Sequence, residues 1–181
     1  MTFFISGGAK NGKSTLAQNL AAAIAQGGKH YYVATMIPSD EEDPARIRHH
    51  IADRDGMGFE TLECGRYLLS CLEVADRNGV FLVDSVTALL QNALFPMEQN
   101  YAPDLPAAQR CANDLRTFAR TVRNAVFVSD YIYSDARRYD ETTEMYRQCL
   151  GMIDRALAQE CDTVIEVSAG QIIVHKGEFA I

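Results

Sequence analysis

The chain has no tryptophan, only five prolines and an odd set of five cysteines, and its 24 acidic residues outnumber its 17 basic ones. Each shortfall removes a class of explanation. A formal charge of −7, with no basic stripe to offset it, argues against a nucleic-acid binder. Cys64, Cys71, Cys111, Cys149 and Cys161 are scattered and form no Cys-x-x-Cys pair. They indicate neither a zinc site nor a disulfide framework, and read as buried thiols in a reducing cytoplasm. No apolar run reaches membrane-spanning length. The N-terminus meets its first glycine turn too soon to hold a removable signal peptide, so a cytoplasmic location is expected. Repeats and low-complexity segments are absent, and residues 1–181 are expected to form a single domain.

What is present, right at the start, is Gly7-Gly8-Ala9-Lys10-Asn11-Gly12-Lys13-Ser14. It follows the apolar Phe3-Phe4-Ile5 and precedes a helical stretch from Thr15 to Ala25. This is the phosphate-loop pattern in the strand-then-helix setting it requires. Gly7 and Gly12 are expected to permit backbone angles that turn successive N–H groups around an anion. The helix beginning near Lys13 points its positive end at that anion. Lys13 is expected to reach the terminal phosphates of a nucleoside triphosphate, and the Ser14 hydroxyl to ligate Mg²⁺.

Apolar runs alternate with helical patterns along the rest of the chain. Strands are predicted at 2–6, 30–35, 59–63, 80–84 and 125–130, with a hairpin over 163–175. Helices are predicted at 13–26, 43–53, 67–76, 86–95, 107–122 and 140–160, and an extended loop from Pro96 to Pro106. The alternation implies an α/β phosphate-loop NTPase fold (RecA-like), with a mainly parallel sheet, helices on both faces and a C-terminal β-hairpin. Active loops belong at the C-terminal ends of its strands.

Asp84 ends the buried run Val80-Phe81-Leu82-Val83 and is the candidate acid for Mg²⁺, the other reading being a helix cap before Val86. Asp130 ends the next apolar strand with the same two readings open. His49 and His50 sit in Asp43-Pro44-Ala45-Arg46-Ile47-Arg48-His49-His50-Ile51-Ala52-Asp53-Arg54. Ile47 and Ile51 mark the buried face of that helix, which His50 borders, while His49 shares a polar face with Arg46 and Asp53. An imidazole placed between a carboxylate and a guanidinium can attack phosphorus, although two histidines on a charged helix are more often a solvated face.

Several runs together carry a family likeness. They are the phosphate loop, Tyr32-Val33-Ala34-Thr35, Ala45-Arg46-Ile47-Arg48-His49-His50 with Arg54, Thr61-x-Glu63-Cys64, and Val83-Asp84-Ser85-Val86-Thr87 with Asn92-Ala93-Leu94. With them the chain resembles, nearly end to end, the bifunctional adenosylcobinamide kinase / adenosylcobinamide-phosphate guanylyltransferase family of cobalamin biosynthesis. The resemblance implies phosphorylation of the primary alcohol of adenosylcobinamide by ATP or GTP. It then implies transfer of GMP from GTP to that phosphate through a GMP–histidine intermediate. It makes His49 the GMP carrier, with Lys13 as the other catalytic residue. It places nucleotide contacts at Gly7, Gly8, Ala9, Lys10, Asn11, Gly12, Lys13 and Ser14, at Ala34, Thr35 and Met36, at His50, Ile51, Ala52 and Asp53, and at Glu63 and Asp84. It also implies a homotrimer.

The chain departs from the family in two places. Family members usually follow the fifth strand with an Asn-Glu pair and a glycine-containing loop ending in proline. Here the stretch reads Ser129-Asp130-Tyr131-Ile132-Tyr133-Ser134-Asp135-Ala136, so its path is expected to differ. Phe59 stands where the family commonly has tryptophan. Two other readings fit the same residues: a monofunctional small-molecule kinase, and a nucleotide-binding sensor that has lost acceptor chemistry.

Overall fold

A computed structural model describes residues 1–37, 54–133 and 136–179. The helix predicted over 43–53, with His49, His50, Ile51, Ala52 and Asp53, lies outside them. Among the described residues seven strands form one sheet: β1 (Thr2–Gly7), β2 (His30–Ala34), β3 (Glu60–Glu63), β4 (Val80–Asp84), β5 (Asn124–Asp130), β6 (Thr163–Ser168) and β7 (Gln171–Lys176). Their order is β3-β2-β4-β5-β1-β6-β7, parallel throughout except for the β6–β7 hairpin. That hairpin turns through Ala169 and Gly170, both at positive φ.

The central strands read as unbroken apolar runs because both faces are covered. Side chains alternate between two cores. Phe4, Val33, Phe81, Val83 and Phe127 face one side; Phe3, Ile5, Leu82, Val126 and Val128 face the other. The second face receives α1 (Lys13–Ala25) through Ala17 and Ala21, small residues that let the helix lie close to the sheet. The first receives α2 (Cys71–Val74), α3 (Val86–Leu94), α4 (Leu105–Thr121) and α5 (Glu141–Glu160). There Phe118 of α4 meets Phe81 and Phe127 edge-on at 5.2 and 6.3 Å. Such pairs contribute about 0.5–1.5 kcal/mol each beyond area burial. All five cysteines are free and buried, as their scatter predicts.

The helices start where side chains satisfy their first N–H groups. Ser85 Oγ accepts from Ala88 N, Asp104 Oδ1 from Ala107 N and Asp140 Oδ1 from Thr143 N. The cap of α3 is therefore Ser85, and Asp84 does not cap it.

Two predicted elements differ. The helix expected over 67–76 is a 3₁₀ turn at Leu68–Ser70 followed by the single turn of α2. Tyr67 takes a left-handed φ of 54°, and the chain is extended again by Ala75, where Asp76 Oδ1 accepts from Asn78 N in a tight turn. Only Leu68 and Cys71 of this stretch are buried, too little apolar surface to hold a longer helix. The extended loop expected over 96–106 instead contains a 3₁₀ turn at Met97–Gln99 and the start of α4. Pro106 sits in the first turn of α4, where its missing N–H costs nothing.

The parallel strands bring Gly7, Ala34, Glu63, Asp84 and Asp130 to one edge of the sheet. The candidate site lies there.

Candidate phosphate-transfer site

The loop between β1 and α1 closes tightly over that edge. Gly12 sits at φ +90°, a conformation that a side chain resists, and caps α1 with no side-chain acceptor. The first N–H groups of α1 therefore open toward the cleft. Gly7 is required for a different reason than the sequence suggests. Its backbone is not left-handed; a Cβ there would stand 2.5 Å from the carbonyl oxygen of Val167. Gly8 has open space and no such constraint. Asn11 staples the loop to β6, its Nδ2 donating to Val167 O and its Oδ1 facing Lys13 N at 3.3 Å.

Lys13 is only 5% exposed, and a buried ammonium must be paired. Its Nζ donates to Gly8 O at 2.8 Å, to Asn11 Oδ1 at 3.3 Å and to Asp130 Oδ1 at 2.6 Å. Three acceptors match its three N–H groups. Asp130 caps no helix among the described residues; β5 lies next to β1, in register Gly7 with Asp130, which delivers the carboxylate to the loop.

Ala9, Lys10, Asn11, Gly12, Lys13, Ser14, Ala34, Met36, Glu63 and Asp84 line one cleft of about 660 Å³. Thr35 does not: it is fully buried, exchanging hydrogen bonds with the backbone of Ser85 at 2.8 and 2.6 Å. Asn92 Nδ2 adds bonds to Thr35 O and Gly65 O at 2.8 and 2.9 Å, joining β2, the end of β3 and α3. These polar residues hold the strand ends in place. A smaller cleft of about 370 Å³ beside Tyr67, Leu89 and Cys111 includes no residue of the phosphate loop.

Sequence reasoning missed Tyr32 and Arg54. Tyr32 OH donates to Asp84 Oδ2 at 3.0 Å, and burial followed by the Asp84 charge pushes the phenol well above its usual range. The Arg54 guanidinium lies 4.0 Å over the Tyr32 ring and reaches Thr61 Oγ1 at 3.3 Å. Both line the cleft. The signal was available, since both residues stand inside runs that carry the family likeness, but neither has a local pattern that marks it.

The stretch 129–133 is tied down from several sides. Ser129 Oγ and Tyr133 OH both donate to the buried Asp154, at 2.9 and 2.8 Å. Burial, aided by the Asp130 charge, pushes the Asp154 carboxyl up to about 6 even though its two donors pull it down. Asp130 N donates to Thr87 Oγ1 at 2.9 Å, Tyr131 N to Gly7 O at 3.2 Å and Tyr131 OH to Glu166 Oε1 at 3.1 Å.

The family model for cobinamide kinase / cobinamide phosphate guanyltransferase matches residues 3–174. The chain belongs to this family. It is 31% identical over 180 residues to the bifunctional adenosylcobalamin biosynthesis protein CobP of Pseudomonas aeruginosa, covering 98% of this chain and 99% of that one. It is 32% identical over 105 residues to CobU of Escherichia coli, also described as a bifunctional adenosylcobalamin biosynthesis protein, covering 58% and 56% respectively. Among solved structures, the flagellar accessory protein FlaH of Methanocaldococcus jannaschii superposes with a TM-score of 0.51 at 14% identity, over 97% of this chain and 78% of that one. That likeness concerns the fold, which is the phosphate-loop NTPase fold read from the sequence. Family membership makes the chain a kinase and guanylyltransferase acting on cobinamide in cobalamin biosynthesis, with nucleoside triphosphates as substrates.

Proposed function

We propose that both reactions use the one cleft, within a single domain, with the γ-phosphate of the nucleotide taking the place of Asp130 on Lys13. The observation that carries this is the Lys13 ammonium, buried at the start of α1 in the lining of the cleft and bonded to Asp130 at the end of β5. Transfer of a phosphoryl group needs positioning and charge neutralisation above all. Lys13 and the open N–H groups of α1 would supply both.

Mg²⁺ fits the residues present. Ser14 offers a hydroxyl and Asp84 a carboxylate, both in the lining of the cleft, hard oxygen donors of the kind the ion prefers. Among the described residues no cluster of three acidic, histidine or cysteine side chains forms a closed cage, consistent with an ion completed by phosphate oxygens and water. When bound, it would neutralise charge on the phosphates. Tyr32 orients Asp84 through its hydrogen bond, and Arg54 holds the Tyr32 ring.

On the guanylyl side, Ala34, Met36 and Glu63 would face the nucleotide, and His49 would attack the α-phosphorus and carry GMP to the phosphorylated acceptor. Support comes from the helical-face argument for His49, and from Met36 and Arg54, which bracket it in sequence and both line the cleft. The homotrimer implied by the resemblance belongs to the same reading.

Intact mass after incubation with Mg²⁺ and GTP tests it. An acid-labile gain of one GMP is expected on the native chain and none on His49→Ala. A gain that persists in His49→Ala removes His49 as the carrier.

A further inference from the structure

The kinase half-reaction needs a proton acceptor as well as a phosphate site, since an alcohol oxygen must lose its proton as it attacks phosphorus. Among the described residues, three carboxylates line the cleft: Glu63, Asp84 and Asp130. Glu63 ends β3, an edge strand of the described sheet. Asp84 is bonded to Tyr32 on the β2 side. Asp130 differs from both. Asp84 stands in register with Val128, so Asp130 projects two residues further, roughly 6–7 Å along the strand direction, to the lip of the phosphate loop. Its oxygen touches the very ammonium at which the γ-phosphate is proposed to dock.

We propose that Asp130 is the proton acceptor of the kinase step, a role that rests on the reading of Lys13 as the γ-phosphate site. As the acceptor hydroxyl attacks, its O–H bond breaks and the proton passes to a carboxylate oxygen of Asp130. The new O–Pγ bond forms while the bond from Pγ to the β,γ-bridging oxygen breaks, and the electron pair leaves with the nucleoside diphosphate. Asp130 then returns its proton to water.

The nucleotide itself switches the base on. Without nucleotide, the Asp130 charge is paired with Lys13. A phosphate that takes Lys13 frees the carboxylate oxygen from the ammonium, so that it can accept the hydrogen bond of the attacking hydroxyl. The position is rigid enough for proton transfer, because Ser129 and Tyr133 are anchored on Asp154, the Asp130 amide on Thr87 and the Tyr131 amide on Gly7. Attack of a neutral histidine nitrogen on the α-phosphorus breaks no O–H bond, so the GMP-loading step makes no use of this base.

The test compares Asp130→Asn and Asp130→Glu with the native enzyme, measuring phosphorylation of cobinamide and GMP loading from GTP side by side. For Asp130→Asn the kinase kcat falls by about 100-fold or more, in the range for a lost general base. The nucleotide KM does not rise, and the ratio of kinase to GMP-loading rate falls by a similar factor. Asp130→Glu, which keeps a carboxylate, recovers at least about tenfold of that loss. The proposal is overturned by a kinase kcat within about threefold of native in Asp130→Asn, by equal losses in both rates, or by an Asp130→Glu enzyme as slow as Asp130→Asn. Failure of the underlying site is separable: Lys13→Ala with undiminished turnover removes the phosphate site itself, whatever Asp130 does.

Discussion

Strands β4 and β5 lie side by side, run through Val80-Phe81-Leu82-Val83 and Ala125-Val126-Phe127-Val128, and both close on an aspartate. In the sequence both aspartates end apolar runs, with Asp84 the candidate for the metal and Asp130 a weaker second one. In the fold they serve different partners. The other neighbour of β4 is β2, which brings Tyr32 to Asp84; the other neighbour of β5 is β1, which brings the phosphate loop and Lys13 to Asp130. An acid at a strand end thus takes its chemistry from the strand beside it. A parallel sheet with the phosphate-loop strand near its centre can place two unlike carboxylates on one cleft.

The largest effect expected from breaking this comparison belongs to Asp84. If it holds the metal for both reactions, Asp84→Asn lowers cobinamide phosphorylation and GMP loading together, by about 10²–10³-fold each, the usual cost of losing a preorganised charge at a reacting phosphate. Asp130→Asn should separate the same two rates. Measuring both variants in parallel gives the contrast directly, and a pattern in which Asp84→Asn spares either rate would erase the proposed division between the two acids.

Much of this site was legible in the sequence alone. The phosphate loop, the strands ending at Asp84 and Asp130, and the helix starts at Lys13 and Asp140 rest on local signals: glycine spacing, unbroken apolar runs and capping residues. What escaped depends on contacts between distant residues. Lys13 and Asp130 are 117 residues apart, Tyr32 and Asp84 are 52 apart, and nothing within either neighbourhood names the other. The same holds for the bonds that tie Thr35, expected among the nucleotide contacts, to Ser85 and Asn92. The short helix at Leu68–Val74 was overextended because its apolar letters suggested a buried face that only Leu68 and Cys71 supply.

A smaller effect is expected one step behind Asp84. Tyr32→Phe keeps the ring beneath Arg54 and deletes only the hydroxyl that reaches Asp84. Stability should fall by about 1 kcal/mol, the net worth of a typical hydrogen bond, read as a shift in the denaturation midpoint. Both enzymatic rates should drop by less than about tenfold, because the carboxylate remains and only its orientation loosens. A loss as deep as that of Asp84→Asn would instead make the phenol part of the chemistry.

The subtlest prediction lies behind Asp130 and concerns pH. Asp154 is 3% exposed, and its carboxyl stands at about 6 against an ordinary 3.8, first because of burial and in smaller part because of the Asp130 charge. The folded chain therefore holds a proton there that the unfolded chain has already released between those values. The unfolded state binds fewer protons in that window, so this group makes stability fall as pH rises from about 4 to about 6, by roughly 3 kcal/mol in all, with no further change above it. Asp154→Asn cannot ionise, so the native-minus-variant stability curve should slope downward across that window and run flat on either side. In an Asp130→Asn background the drop should shrink without vanishing, because burial remains when the neighbouring charge is gone. A difference curve with no slope between about pH 4 and 6, tested by denaturation at a series of pH values, would mean that Asp154 stays ionised on its two donors and that the electrostatic link from α5 to the phosphate site is absent.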